Sequence, residues 1–125
     1  CRNLITKYKI KKKNIVGHSD IAPLRKIDPG EKFPWKYLAK NKLGNWHDYE
    51  PHILTKYRRK KVLTVQNKKQ FIKNLNKIGY CFGAENKPFF NRTLKAFQMH
   101  FRKELINGIL DKECFMIAQN LAKKL

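Results

Sequence analysis

The sequence predicts an α+β chain: a mixed α/β part over residues 1–50, a connector over 51–66 and a small three-helix all-α domain over 67–125. Three observations carry that prediction. A β-branched pair, Ile15-Val16, runs into a loop stiffened by Pro23, Pro29 and Gly30, as a short strand feeding an irregular segment does. From about residue 67 apolar residues recur at helical spacing instead, in three separate stripes. Between these regions lies a charged stretch, interrupted by Pro51, that follows neither period.

Length and charge narrow the possibilities. A chain of 125 residues makes one domain or two small ones, and 42% apolar residues can fill a core. No apolar run approaches the roughly 20 residues that span a bilayer, so no transmembrane segment is expected, and no signal peptide is visible. With 29 basic residues against 9 acidic the net charge is +20, which draws a chain towards polyanions such as nucleic acid, anionic lipid or carboxylate-rich wall polymers. The excess is mostly lysine, 23 against 6 arginines, alongside 11 asparagines, a bias that an AT-rich genome also produces. No nucleic-acid motif is present, and bidentate contacts would want arginine, so no nucleic-acid partner is expected. Cys1, Cys81 and Cys114 are odd in number and widely spaced, which indicates neither a disulfide framework nor a zinc knuckle. Cys81 and Cys114 read as small apolar fillers.

The elements follow in order. Residues 1–12 read as a helix with Cys1, Leu4, Ile5 and Tyr8 on one stripe, closed by Lys11-Lys12-Lys13 where the helix dipole favours cations. The stripe is already running at Cys1 with no capping residue before it, as in a helix cut through its middle, so chain upstream is expected. Asn14 then turns into the strand Ile15-Val16, which delivers His18 at its end. A short helix or turn starts at Phe33-Pro34-Trp35; Phe33 and Trp35 suit either a sugar- or peptide-binding groove or the core. His47, Asp48, Glu50 and His52 lie close together, but Pro51 interrupts them and they read as polar linker, as does the basic run from Lys56 to Lys61. Phe71, Ile72, Leu75 and Ile78 form the next helix, stopped by Gly79. Leu94, Phe97 and Phe101 form another, starting near Asn91 as N-cap, with Gln98 and His100 as exposed polar residues. Phe115, Ile117, Ala118 and Leu121 form the last, from Asp111 after a turn at Gly108.

The segment from Gly17 to Gly30 carries the chemistry. It places a histidine, a lysine and an aspartate on one short irregular path. His18 offers an imidazole nitrogen and Asp28 a carboxylate oxygen, both ordinary ligands of a catalytic zinc. Lys26 adds a compact positive charge suited to a developing oxyanion. On residue types alone a solvated loop is the favoured reading of the same segment.

Resemblance adds weight to the first reading. Ile15-Val16-Gly17-His18-Ser19-Asp20-Ile21-Ala22-Pro23, then Arg25-Lys26-Ile27-Asp28-Pro29-Gly30, then Phe33-Pro34-Trp35, resembles the C-terminal zinc-site segment of the type 2 N-acetylmuramoyl-L-alanine amidases. The resemblance implies hydrolysis of the amide between N-acetylmuramic acid and L-alanine in peptidoglycan. It implies Zn2+ as cofactor, His18 and Asp28 as metal ligands, and Lys26 as the group that stabilises the tetrahedral intermediate. It also implies that a further histidine ligand and an acidic general base lie N-terminal to the matched segment, so that this chain alone carries part of an active site. Leu75-Asn76-Lys77-Ile78-Gly79-Tyr80, then Thr93-Leu94-Lys95-Ala96-Phe97-Gln98, then Asn107-Gly108-Ile109-Leu110-Asp111, is similar to the three-helix peptidoglycan-binding domain of wall hydrolases. The implied partners are peptidoglycan or muropeptides and the N-terminal amidase segment, on the same or a separate chain. The implied location is periplasm or cell envelope, with cytoplasm as the alternative. The competing expectation is a fragment that binds peptidoglycan without cleaving it.

Overall fold

The structure is a computed structural model that describes residues 2–62, 64–80 and 87–125. Cys1 and Cys81 lie outside the described residues. Among the described residues seven α-helices follow one another: α1 (Arg2–Tyr8), α2 (His18–Ile21), α3 (Trp35–Lys40), α4 (Pro51–Thr55), α5 (Val65–Ile78), α6 (Lys87–Phe101) and α7 (Lys112–Lys123).

The three long helices form where the apolar stripes predicted them. Thr64 caps α5 by accepting the Asn67 N–H at 3.1 Å. Phe71 and Leu75 then face inward one turn apart, and Gly79 ends the helix at φ 122°, a conformation that favours glycine. Asp111 caps α7 through the Cys114 N–H at 2.9 Å, and Cys114, Ile117, Ala118 and Leu121 point into the core. Helix α5 packs against α7, and α6 supplies Phe90, Leu94, Phe97 and Phe101 to the same core. Phe71 meets Phe97 edge-on, with ring centroids 5.8 Å apart. Helix α6 begins at Lys87, so Asn91, the expected cap, lies inside it.

The N-terminal part departs further from expectation. Helix α1 ends at Tyr8, and Lys9 takes the left-handed conformation at φ 49°. The lysine run does not close α1; Lys12–Asn14 forms a separate 3-10 turn. The strand predicted at Ile15-Val16 is absent. Ile15 is extended at φ −95°, ψ 98°, but it finds no neighbour to complete a ladder. Among the described residues there is no strand, only an isolated bridge between Lys61 and Asp111, so the part described is mostly helical.

Within the stretch expected as connector most described side chains are exposed, but Leu54 is buried and Tyr57 and Arg58 are half-buried. Pro51 occupies the first turn of α4, where its missing N–H costs nothing, and Leu54 joins the core cluster of Phe71 and Leu94. Arg58 makes a two-pronged pair with Glu113, its Nε and Nη2 donating at 2.8 and 3.0 Å. Arg102, buried at 1% exposure, donates from Nη1 to Asp111 at 2.6 Å and to Glu113 at 3.0 Å. Two guanidinium groups thus neutralise two carboxylates beneath the start of α7.

Candidate metal centre

Gly17 opens the site. A Cβ there would lie 2.6 Å from Pro29 Cδ and 3.2 Å from the Trp35 ring, so only glycine lets the two limbs of the loop close. The four-residue α2 starts at the next position and places His18 at its first turn. The Ser19 N–H donates to the Asp28 carbonyl at 3.0 Å, which joins the start of the loop to its end. Between them the chain turns at Ala22, whose carbonyl accepts from the N–H groups of Arg25 and Lys26.

That closure brings His18 Nδ1 to 2.6 Å from Asp28 Oδ2, across ten positions of sequence. Both side chains remain open to solvent, 71% and 57% exposed. The hydrogen bond from His18 holds the Asp28 carboxyl below its usual range, with the charges of His18 and Lys26 adding to the effect. Lys26 is exposed on the same loop. The three residues singled out from sequence are therefore gathered at one open surface.

The donor set fits a divalent metal. An imidazole nitrogen and a carboxylate oxygen meet at a distance that needs one shared proton, and a divalent ion competes with that proton for the same lone pairs. The set is incomplete for catalysis: no group of three His, Cys, Asp or Glu that could hold a metal occurs among the described residues. His47, Asp48, Glu50 and His52 do not form one. Asp48 instead accepts from Lys124 Nζ at 2.7 Å and from Asn120. Burial, helped by the Lys36 charge, pushes His47 down to about 4.

Trp35 and Phe33 divide. Trp35 is 7% exposed and stacks on the His100 ring at 4.0 Å, so it is a packing residue. Phe33 is half-buried, 4.6 Å from Trp35, at the edge of a cleft of about 290 Å³ that also includes Met99 and Glu104.

Sequence reasoning missed what holds the loop. Asp20, 5% exposed, accepts from the Gly17 N–H at 2.8 Å, from His100 Nδ1 at 2.7 Å and from the Tyr80 hydroxyl. Burial, then the Asp20 charge, holds the Tyr80 hydroxyl protonated well above its ordinary range, as a donor requires. His100 and Gln98, expected on the surface, are buried at 6% and 0% exposure. The Gln98 side-chain oxygen Oε1 accepts from the N–H groups of Asn107 and Gly108 at 3.0 and 2.9 Å, bracing the turn before α7. The signal lay in α6: Thr93, Ala96 and His100 recur at helical spacing as a second buried face beside the Leu94 and Phe97 stripe.

Comparison with known proteins gives a consistent result. No family model matches the chain. The N-acetylmuramoyl-L-alanine amidase AmiD of Escherichia coli is 37% identical over a 134-position alignment, covering 98% of this chain and 45% of that protein. The 1,6-anhydro-N-acetylmuramyl-L-alanine amidase AmpD of Haemophilus influenzae is 62% identical over 32 residues, 25% of this chain and 17% of that protein. Among solved structures, the E. coli AmiD complex with the substrate anhydro-N-acetylmuramic acid-L-Ala-D-gamma-Glu-L-Lys superposes with a TM-score of 0.81, covering 98% of this chain and 48% of that one. AmpDh3 of Pseudomonas aeruginosa, 34% identical, superposes with a TM-score of 0.79, covering 98% of this chain and 49% of that one. The chain spans about half the length of these full-coverage relatives.

Proposed function

We propose that this chain, homologous over nearly its whole length to the N-acetylmuramoyl-L-alanine amidases, is the ligand-bearing C-terminal half of such an enzyme. The whole protein would be a zinc-dependent hydrolase of the amide joining N-acetylmuramic acid to L-alanine in peptidoglycan. The observation that carries this reading is the 2.6 Å approach of His18 Nδ1 to Asp28 Oδ2 on an exposed loop beside Lys26.

His18 and Asp28 would hold the metal. When bound, zinc polarises the scissile carbonyl as a Lewis acid. Lys26 would place its ammonium against the negative charge that gathers on the carbonyl oxygen as the amide is attacked. Phe33 would offer an apolar edge to the muropeptide, supported by Trp35. A catalytic zinc takes three protein ligands, and amide hydrolysis needs a group to pass a proton to the leaving amine. Those groups, and the sheet of an α+β amidase domain, would come from the half of the relatives' length that this chain does not span. Helices α5–α7 would form the peptidoglycan-binding-like part, and the location would be the periplasm or cell envelope. Among the described residues no helix is long and apolar enough to cross a membrane.

A chimera tests this reading. Residues 1–125 replace the matching half of the E. coli amidase, and release of peptide from an anhydro-muropeptide is followed. We expect turnover that is abolished by His18→Ala and lowered about 10²–10³-fold by Lys26→Ala. A folded chimera that binds zinc yet releases nothing, while the 125-residue chain is retained on sacculi, would instead support the binding-fragment reading.

A further inference from the structure

We propose that Asp20, Tyr80 and His100 act as positioning residues for the metal-ligating loop, so that α5 and α6 set the placement of His18 in addition to any attachment role. The inference rests on the metal reading of His18 and Asp28 given above.

A helix of four residues cannot hold itself, because its nucleation is not offset by enough hydrogen bonds. The orientation of α2, and with it of His18, must come from tertiary contacts. Asp20 makes them. It lies two residues beyond His18, with its side chain buried on the opposite side from that exposed imidazole. Its carboxylate collects donors from three parts of the chain: the Gly17 N–H, the Tyr80 hydroxyl just past the end of α5, and His100 on α6. The last two come from 60 and 80 positions away.

Helix α6 holds the loop at a second level. The His100 ring stacks on Trp35 with 12° between the planes, and Trp35 in turn packs on Gly17, the residue before His18. Further back along α6, Arg92 Nη1 donates to the Leu24 carbonyl at 3.2 Å. One rigid helix therefore grips both the start of the loop and its middle. A side chain held this way keeps a ligand within the tolerance that metal geometry demands.

The test uses the 125-residue chain and Zn2+ alone. The His18 imidazole is followed by NMR during a zinc titration, and hydrogen exchange of the Ser19 amide, which is bonded to the Asp28 carbonyl, reports loop closure without metal. His100→Leu removes the donor to Asp20; His100→Asn keeps a donor near the Nδ1 position. We expect His100→Leu to weaken zinc binding at least threefold and to speed Ser19 exchange at least tenfold. We expect His100→Asn to restore most of both. Should His100→Leu fail to fold, Tyr80→Phe, which deletes one hydroxyl, takes its place with an expected twofold loss of affinity and faster Ser19 exchange. Folded variants with unchanged zinc affinity and unchanged Ser19 exchange overturn the proposal while leaving the metal reading intact. If zinc leaves His18 unperturbed in the unaltered chain, two ligands do not hold the metal without the third that the rest of the enzyme would supply. The hold on the loop is then decided by Ser19 exchange alone: loss in His100→Leu with recovery in His100→Asn keeps it, and no change removes it.

Discussion

Gly17→Ala should damage the site more than any other single methyl group. The backbone at Gly17 has φ −87° and ψ 167°, which alanine adopts without strain, so the effect is steric alone. The new Cβ would sit 2.6 Å from Pro29 Cδ, 3.2 Å from Trp35 and 3.5 Å from an Asp20 carboxylate oxygen. Pro29 must withdraw by about 0.8 Å to reach ordinary contact, and a ring fixed to the backbone cannot rotate aside. Residue 17 adjoins His18 and residue 29 adjoins Asp28, so the strain acts directly on the spacing of those two side chains. A displacement of that size exceeds the roughly 0.5 Å that a metal or catalytic constellation tolerates. Overpacking of this kind costs about 1–3 kcal/mol, or about 4–12 °C in melting temperature for a chain of this size. Differential scanning calorimetry gives the first quantity, and zinc titration followed at His18 gives the second, expected to weaken about tenfold. A variant that melts within about 1 °C of the parent and binds zinc equally well would refute the reasoning, because Pro29 would then be free to move.

Two further outcomes follow from the buried charges. Arg102→Ala leaves Glu113 buried with Arg58 alone and Asp111 buried with no guanidinium partner, and should cost about 3–5 kcal/mol in urea denaturation; a loss under about 1 kcal/mol would show that the network is wet. His47 is held neutral in the folded chain down to about pH 4 and titrates near 6.5 when unfolded, so the unfolded state binds the extra proton between those values. Stability should fall as pH drops through that window, by about 1–2 kcal/mol once solvent screening is allowed for, and His47→Gln should flatten the slope.

Much of the helical region was legible because its information is local. Phe71 with Leu75, and Cys114 with Ile117, Ala118 and Leu121, each declare a helix face within a few residues, and Asp111 sits where its side chain can cap. The approach of His18 to Asp28 was legible for a different reason. His18 and Asp28 share one short loop of prolines and glycines, so residue type and order already limit how far apart they can lie. The expected strand at Ile15-Val16 shows the limit of such reasoning: β-branched residues favour extended backbone, but a strand exists only where another chain segment completes its hydrogen bonds.

By itself the sequence determined which groups can do chemistry, on one loop, and where the long helices run. Only the tertiary structure decided that His18 Nδ1 stands 2.6 Å from Asp28 Oδ2, and that Asp20, Tyr80 and His100 hold the loop. Helix periodicity is a property of neighbours three and four residues apart. A carboxylate that meets an imidazole 80 positions away is fixed by how whole helices pack, and no local pattern encodes that meeting.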